Sequence, residues 1–242
     1  MSKRPKPRPK PRHALSTRLW HWINAAALVV LFMSGLGISN AHRYLYWGNY
    51  GFDPADAWLS VIRFPAWATL PQRYNLAEAR DWHSTGAWVF ALALLGMWIA
   101  MLINRHFRRD IAAPLRKWSP ASLLNEMRDH LKGRFEPDEA GAKYNTLQKL
   151  TYGVVLGVLL PLMIFTGLAI SPGFEPAAPW LVEVLGGRQS ARSLHFICSW
   201  ALFAFFVVHI IMVLLSGPIK QTWSMIAGGK APDAKESTGA AQ

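Results

Sequence analysis

The chain reads as an all-α protein, an integral membrane four-helix bundle with short interfacial helices. Four apolar runs, Leu19 to Ile38, His83 to Ile103, Leu150 to Ile170 and Leu194 to Leu215, each approach the roughly twenty residues that cross a ~30 Å hydrocarbon layer. Hydrophobic residues make up 52% of the 242. The basic residues alternate in density between connections: seven precede the first run, ten lie between the second and third, and three follow the fourth, leaving six of the 26 elsewhere. With both termini and the middle connection in the cytoplasm, that asymmetry obeys the positive-inside rule. The net charge of +12 is thereby explained as topology rather than as a nucleic-acid partner.

The segment before the first span, Lys3 to Arg12, alternates proline with basic residues. An extended, disordered cytoplasmic arm over residues 1–17 is expected, read first as a charge cluster that fixes topology and second as a segment with affinity for anionic lipid headgroups. A basic arm before an apolar run also has the outline of a signal peptide, and Ser39-Asn40-Ala41 that of a small-x-small cleavage site. The run is long for that, and it carries His21 between Trp20 and Trp22, so it is read as the first transmembrane helix. Gly35 and Gly37 near its far end permit close approach of a helix or a bulky ligand. The connection from Ser39 to Trp82, with Trp47, Trp58 and Trp67, is expected to form one or two short helices on the periplasmic surface.

The second span opens at Trp82-His83 and returns to Arg105, Arg108 and Arg109 at the cytoplasmic boundary. Ser119-Pro120, followed by Leu123, Leu124, Met127 and Leu131 at helical spacing, predicts an amphipathic interfacial helix. Pro161 predicts a kink in the third span, which Ser171-Pro172-Gly173 ends. Pro179 to Leu185 predicts a short outer helix before Gly186-Gly187. The spans and their immediate flanks form one domain over residues 18–217. Beyond it, residues 218–242 comprise a short cytoplasmic helix from Pro218 to about Ala227, stopped by Gly228-Gly229, and a disordered tail.

Four of the eight histidines fall in the spans. Polar ionisable groups inside a membrane are costly, and imidazole is a good haem ligand. His195 and His209 are fourteen residues apart, so on one helix they lie within about 40° of the same face and ~21 Å apart in rise. The helix directions pair them by depth: His83 with His195 at the outer side, His21 with His209 at the inner. Two bis-histidine sites would hold two haem groups and make an electron wire across the membrane. The lone Cys198 excludes an intramolecular disulfide and a cysteine cluster, and no Cys-x-x-Cys-His is present, so the haems would be of b type. Met33, Met97, Met163 and Met212 are read as packing residues. His13, His42, His106 and His130 are read as solvated. Arg18 and Arg192, close to the two sites, either pair with haem propionates or anchor the helix ends at the interface.

Arg18-x-x-His21-Trp22, Trp82-His83, Tyr144-Asn145-Thr146-Leu147-Gln148-Lys149, and Ala191-Arg192-Ser193-Leu194-His195 with His209 together resemble the di-haem cytochrome b subunits of bacterial nickel-iron hydrogenases and formate dehydrogenases. The ending Ile170-Ser171-Pro172-Gly173 and the run from Gly186 to Arg192 look most like cytochromes that accompany molybdopterin oxidoreductases. The resemblance implies the same four ligands in a bacterial inner membrane, a quinone as exchangeable substrate near the inner haem, and a periplasmic redox enzyme as partner. It places Asn145, Gln148 and His209 at the quinone pocket, with Leu147 where the family has glycine. Asn145 serves equally well as a helix N-cap. Two other functions use the same residues differently: a stand-alone oxidoreductase passing electrons from a small donor such as superoxide to quinone, and a haem-free membrane anchor.

Overall fold

A computed structural model describes residues 15–103, 128, 146–215 and 217–228. The expected interfacial helix after Ser119 and the candidate Asn145 lie outside these residues. Helix α1 spans Leu15–Ala41 and α2 spans Leu76–Ile103. The third crossing comprises α3 (Thr146–Val154), a wide turn over Val155–Leu159 and α4 (Leu160–Ile170). Helix α5 is Pro179–Val184, α6 is Arg188–Leu215 and α7 is Pro218–Ala227. Among the described residues four helices are long and apolar enough to cross a membrane, the third over Lys149–Ile170.

The spans outrun the apolar cores that identify them. Helix α2 starts seven residues before His83, so that histidine sits two turns inside its helix. In the third crossing, Pro161 has no N–H for an i−4 carbonyl. The backbone absorbs this one residue earlier, where Leu160 N–H donates to Val155 O, an i−5 bond.

Helices α1 and α2 pack as one antiparallel pair, and α4 packs with α6 as another. Glycine sets the closeness of the first pair: the Trp20 indole lies against Gly96, where a Cβ would stand 3.0 Å from it, and a Cβ at Gly37 would stand 3.3 Å from Ala79 Cβ. Phe32 of α1 stacks on Phe203 of α6 at 4.5 Å between centroids and so ties the two pairs together. Ala27, Phe90, Leu94, Val155, Leu160 and Leu202, drawn from all four crossings, form the central apolar core. Val29, Leu92, Ile99, Phe165, Val208 and Leu214 are exposed on the outside of the bundle. That arrangement is stable with hydrocarbon, not water, around it.

The connection from α1 to α2 differs from the expected short helices. Strands β1 (Tyr44–Leu45) and β2 (Leu59–Ser60) pair antiparallel, and single helical turns occupy Pro54–Asp56 and Ala66–Ala68. Side chains substitute for missing ladder partners: Asn40 donates to Phe64 O at 2.9 Å and accepts from Phe64 N at 2.7 Å, while Arg43 Nε donates to Val61 O at 3.0 Å. This cap is pinned to the start of α6. Gly48 O accepts from Gln189 N and Ser190 N, two donors that the first turn of a helix leaves free. Ser193 Oγ donates to Tyr46 O at 2.6 Å and accepts from Trp58 Nε1 at 2.9 Å. At the other end of the bundle α7 turns back beneath α1, and its last carbonyls find donors there: Arg18 Nη1 to Ile226 O at 2.6 Å and Trp22 Nε1 to Met225 O at 3.2 Å.

Candidate functional site

The four span histidines meet as two pairs. His83 of α2 and His195 of α6 stand 6.1 Å apart between ring centroids at the capped end. His21 of α1 and His209 of α6 stand 6.4 Å apart at the end that carries α7. The apolar core lies between these two layers. Among the described residues no three His, Cys, Asp or Glu side chains converge on one point. Among the described residues each pair therefore offers two imidazoles and no third His, Cys, Asp or Glu, a donor set that suits an iron already held in a porphyrin. The spacing suits it as well, since an iron bonded at about 2 Å to a nitrogen of each ring separates the two centroids by roughly 6 Å.

Second partners orient the rings at the capped end. Ser34 Oγ, on α1, lies 2.9 Å from His83 Nδ1 and donates its own proton back to Val30 O at 2.7 Å. Thr166 Oγ1, on α4, lies 2.9 Å from His195 Nδ1 and donates to Leu162 O at 2.7 Å. A hydroxyl has one proton, so each oxygen accepts from its histidine. In that arrangement each ring is the Nδ1–H tautomer and its Nε2 keeps the lone pair. Glycine follows in each case: a Cβ at Gly35 would lie 3.6 Å from His83 Cε1, and one at Gly167 3.3 Å from His195 Cε1. The other layer is less satisfied. Arg18 Nε, His21 Nδ1 and Asn24 Oδ1 are buried there without a hydrogen-bond partner among the described residues. Such atoms call for a partner beyond the described residues, whether protein, water or a bound group.

The remaining candidates divide. Arg18 spends one guanidinium nitrogen on Ile226 O, and Arg192 Nη1 donates to Gln189 Oε1 at 2.9 Å. Gln148 sits in the first turn of α3, two residues before the apolar run that begins at Leu150. Cys198 is buried against its neighbours, as a packing residue should be. His42 departs from the solvated surface position expected of it: it is half-buried at the capped end, with Arg80 Nη2 3.2 Å from its Nε2. Burial, with Arg192 and then Arg80 nearby, holds its imidazole below the ordinary pKa. The cause is the fold of the cap, which brings the residue after α1 onto α2.

An internal repeat underlies the capped layer. Ser34-Gly35-Leu36-Gly37-Ile38-Ser39 in α1 matches Thr166-Gly167-Leu168-Ala169-Ile170-Ser171, and Ala79-Arg80-x-x-His83 matches Ala191-Arg192-x-x-His195. Each half thus supplies one histidine of the capped layer, one hydroxyl to hold it and one glycine to admit it. Self-comparison of the sequence carries that signal.

Known proteins are similar to this chain over most of its length. The chain is 28% identical over 199 residues, 82% of its length and 87% of the relative's, to a putative protein-methionine-sulfoxide reductase subunit YedZ1 of Azospira oryzae. It is 24% identical over 204 residues to a probable Ni/Fe-hydrogenase B-type cytochrome subunit of Cupriavidus necator, covering 80% of this chain and 74% of that one. A subunit of the same description from Azotobacter vinelandii is 25% identical over 206 residues, 81% and 77% of the two chains. The family model of prokaryotic cytochrome b561 matches residues 12–228, which take in all four crossings. The chain belongs to the prokaryotic cytochrome b561 family, and is a multi-pass membrane protein of that b-type, electron-transferring class.

Proposed function

We propose that this chain is a di-haem b cytochrome that carries electrons between the membrane quinone pool and a redox enzyme docked at the capped end. The observation that carries this reading is the pair of imidazole pairs, 6.1 and 6.4 Å between centroids, on either side of one apolar core. His83 and His195 would hold one haem, His21 and His209 the other. A b haem in each place would supply a one-electron ferric/ferrous couple. The protein's part is to hold ligands at two depths, exclude water from the layer between, and neutralise charge at each end.

Arg192, with Arg80 and His42 beside it, presents cationic and N–H donors above the capped layer, a fit for the propionates of the first haem. Arg18 retains its buried Nε near His21 and is placed to serve the second. Quinone chemistry is assigned to the His21/His209 end, with Asn145 and Gln148 before the third crossing as its polar contacts. Twenty of 26 basic residues flank that end or the connections on its side, so it faces the cytoplasm, with residues 1–17 and 218–242 as cytoplasmic flanks of the 18–217 domain. The capped end then faces the periplasm of a bacterial inner membrane. The relatives' descriptions, a reductase subunit and hydrogenase cytochrome subunits, support a redox enzyme as the partner there, and the partner proposed is a molybdopterin oxidoreductase or a hydrogenase-like enzyme.

Protein purified in detergent and returned to lipid nanodiscs tests this. A pyridine haemochrome assay should give two b haems per chain. A quinol analogue should reduce the oxidised protein, or the matching quinone should reoxidise the reduced protein. Two haems inert to both reagents, yet reducible by dithionite, would remove quinone from the function.

A further inference from the structure

We propose that Ser34 and Thr166 are positioning residues that act through the histidines of the capped layer and set the redox potential of that layer alone. The inference rests on the di-haem reading and extends it to residues that touch no cofactor. Both hydroxyls are fully buried and both are held by the helix that bears them. Ser34 Oγ is 2.7 Å from Val30 O and 3.1 Å from Leu31 O, and Thr166 Oγ1 is 2.7 Å from Leu162 O and 3.2 Å from Met163 O. With its proton committed to a carbonyl, each oxygen can only accept from the histidine 2.9 Å away.

A hydroxyl bonded only to its own helix carbonyl is common in membrane helices and needs no further role. Here the same placement occurs twice, at matching positions of the two halves, each time one residue before the glycine on which the histidine ring rests. An acceptor on Nδ1–H fixes the ring's rotation and tautomer and makes its other nitrogen a more basic ligand. A more basic ligand favours ferric over ferrous iron, so each hydroxyl lowers the potential of the haem it serves. The other layer lacks the device on α1, where His21 Nδ1 is buried without a partner among the described residues. Among the described residues the two layers therefore differ in what holds their histidines.

Spectroelectrochemical titration of Ser34→Ala, Thr166→Val, the double variant and Thr166→Ser tests this, with electron paramagnetic resonance of the oxidised protein as the second readout. Thr166→Val keeps the side chain's shape and removes the acceptor. One couple should rise by roughly tenfold in its oxidation equilibrium per hydroxyl removed, about 59 mV for one electron, and its ferric signal should shift. The second couple should stay put, and Thr166→Ser should behave as wild type. Selective loss of one haem from Thr166→Val but not from Thr166→Ser would support the same role. Two retained haems with unmoved couples, or an equal shift in Thr166→Ser, would overturn it and leave the hydroxyls as helix-satisfying groups. Wild-type protein without two haems would instead defeat the underlying di-haem reading.

Discussion

A Cβ placed on Gly167 would stand 3.3 Å from Cε1 of His195, whereas one on Gly35 would stand 3.6 Å from the same atom of His83. The first distance is tighter than ordinary van der Waals contact and the second is not. The two halves of the repeat therefore differ in how much room their histidines have.

Gly167→Ala should push His195 by a few tenths of an ångström, with an overpacking cost of about 1–3 kcal/mol. Gly35→Ala should be tolerated. Thermal unfolding in detergent and the intensity of the b-haem absorbance check both at once. Equal effects from the two alanines would mean that the rings do not rest on these glycines.

Gly187 carries the docking of the cap. Its φ is +108°, and a Cβ there would lie 2.5 Å from the backbone of Gly48, which no flexible side chain could relieve. Gly187→Ala should cost upwards of about 1–2 kcal/mol in backbone strain alone and free the segment between β1 and β2. Limited proteolysis between Tyr46 and Trp58 reports that release. Wild-type protection in Gly187→Ala would show that the cap holds without this contact.

Much of this was legible from residue order. Spans follow from apolar length, and the two histidine layers follow from helix direction together with the spacing of His195 and His209, because a helix converts sequence distance into depth. The cap was not legible, since strands of two residues leave no alternating pattern and their stability comes from Asn40, Arg43 and Ser193 reaching across the chain. Nor were Ser34 and Thr166, whose residue types are ordinary in membrane helices until the repeat sets them side by side. The wide turn before Pro161 belongs between these cases, because the proline marks a break without saying which carbonyl is bypassed.

His42 makes the capped end sensitive to acid. Its folded-state pKa lies below the ordinary value of 6.5, so the unfolded chain binds the proton more readily. Its contribution to stability is complete above pH 6.5 and is lost as pH falls through the window below it. Unfolding measured from pH 7.5 to 5 on haem-free protein should show this loss, reduced in His42→Asn. An identical pH profile for the variant would place the acid sensitivity elsewhere. Propionates beside Arg80 and Arg192 would offset their charge, so loading with haem should narrow the difference between the two proteins.

The most direct test of the two-layer wire is a haem count with a reduced-minus-oxidised spectrum on wild type, His83→Ala and His209→Ala. Two b haems per wild-type chain are expected, with each variant retaining one and the two residual spectra differing. No haem, or a single haem unaffected by either change, would contradict the pairing of His83 with His195 and of His21 with His209 as ligands.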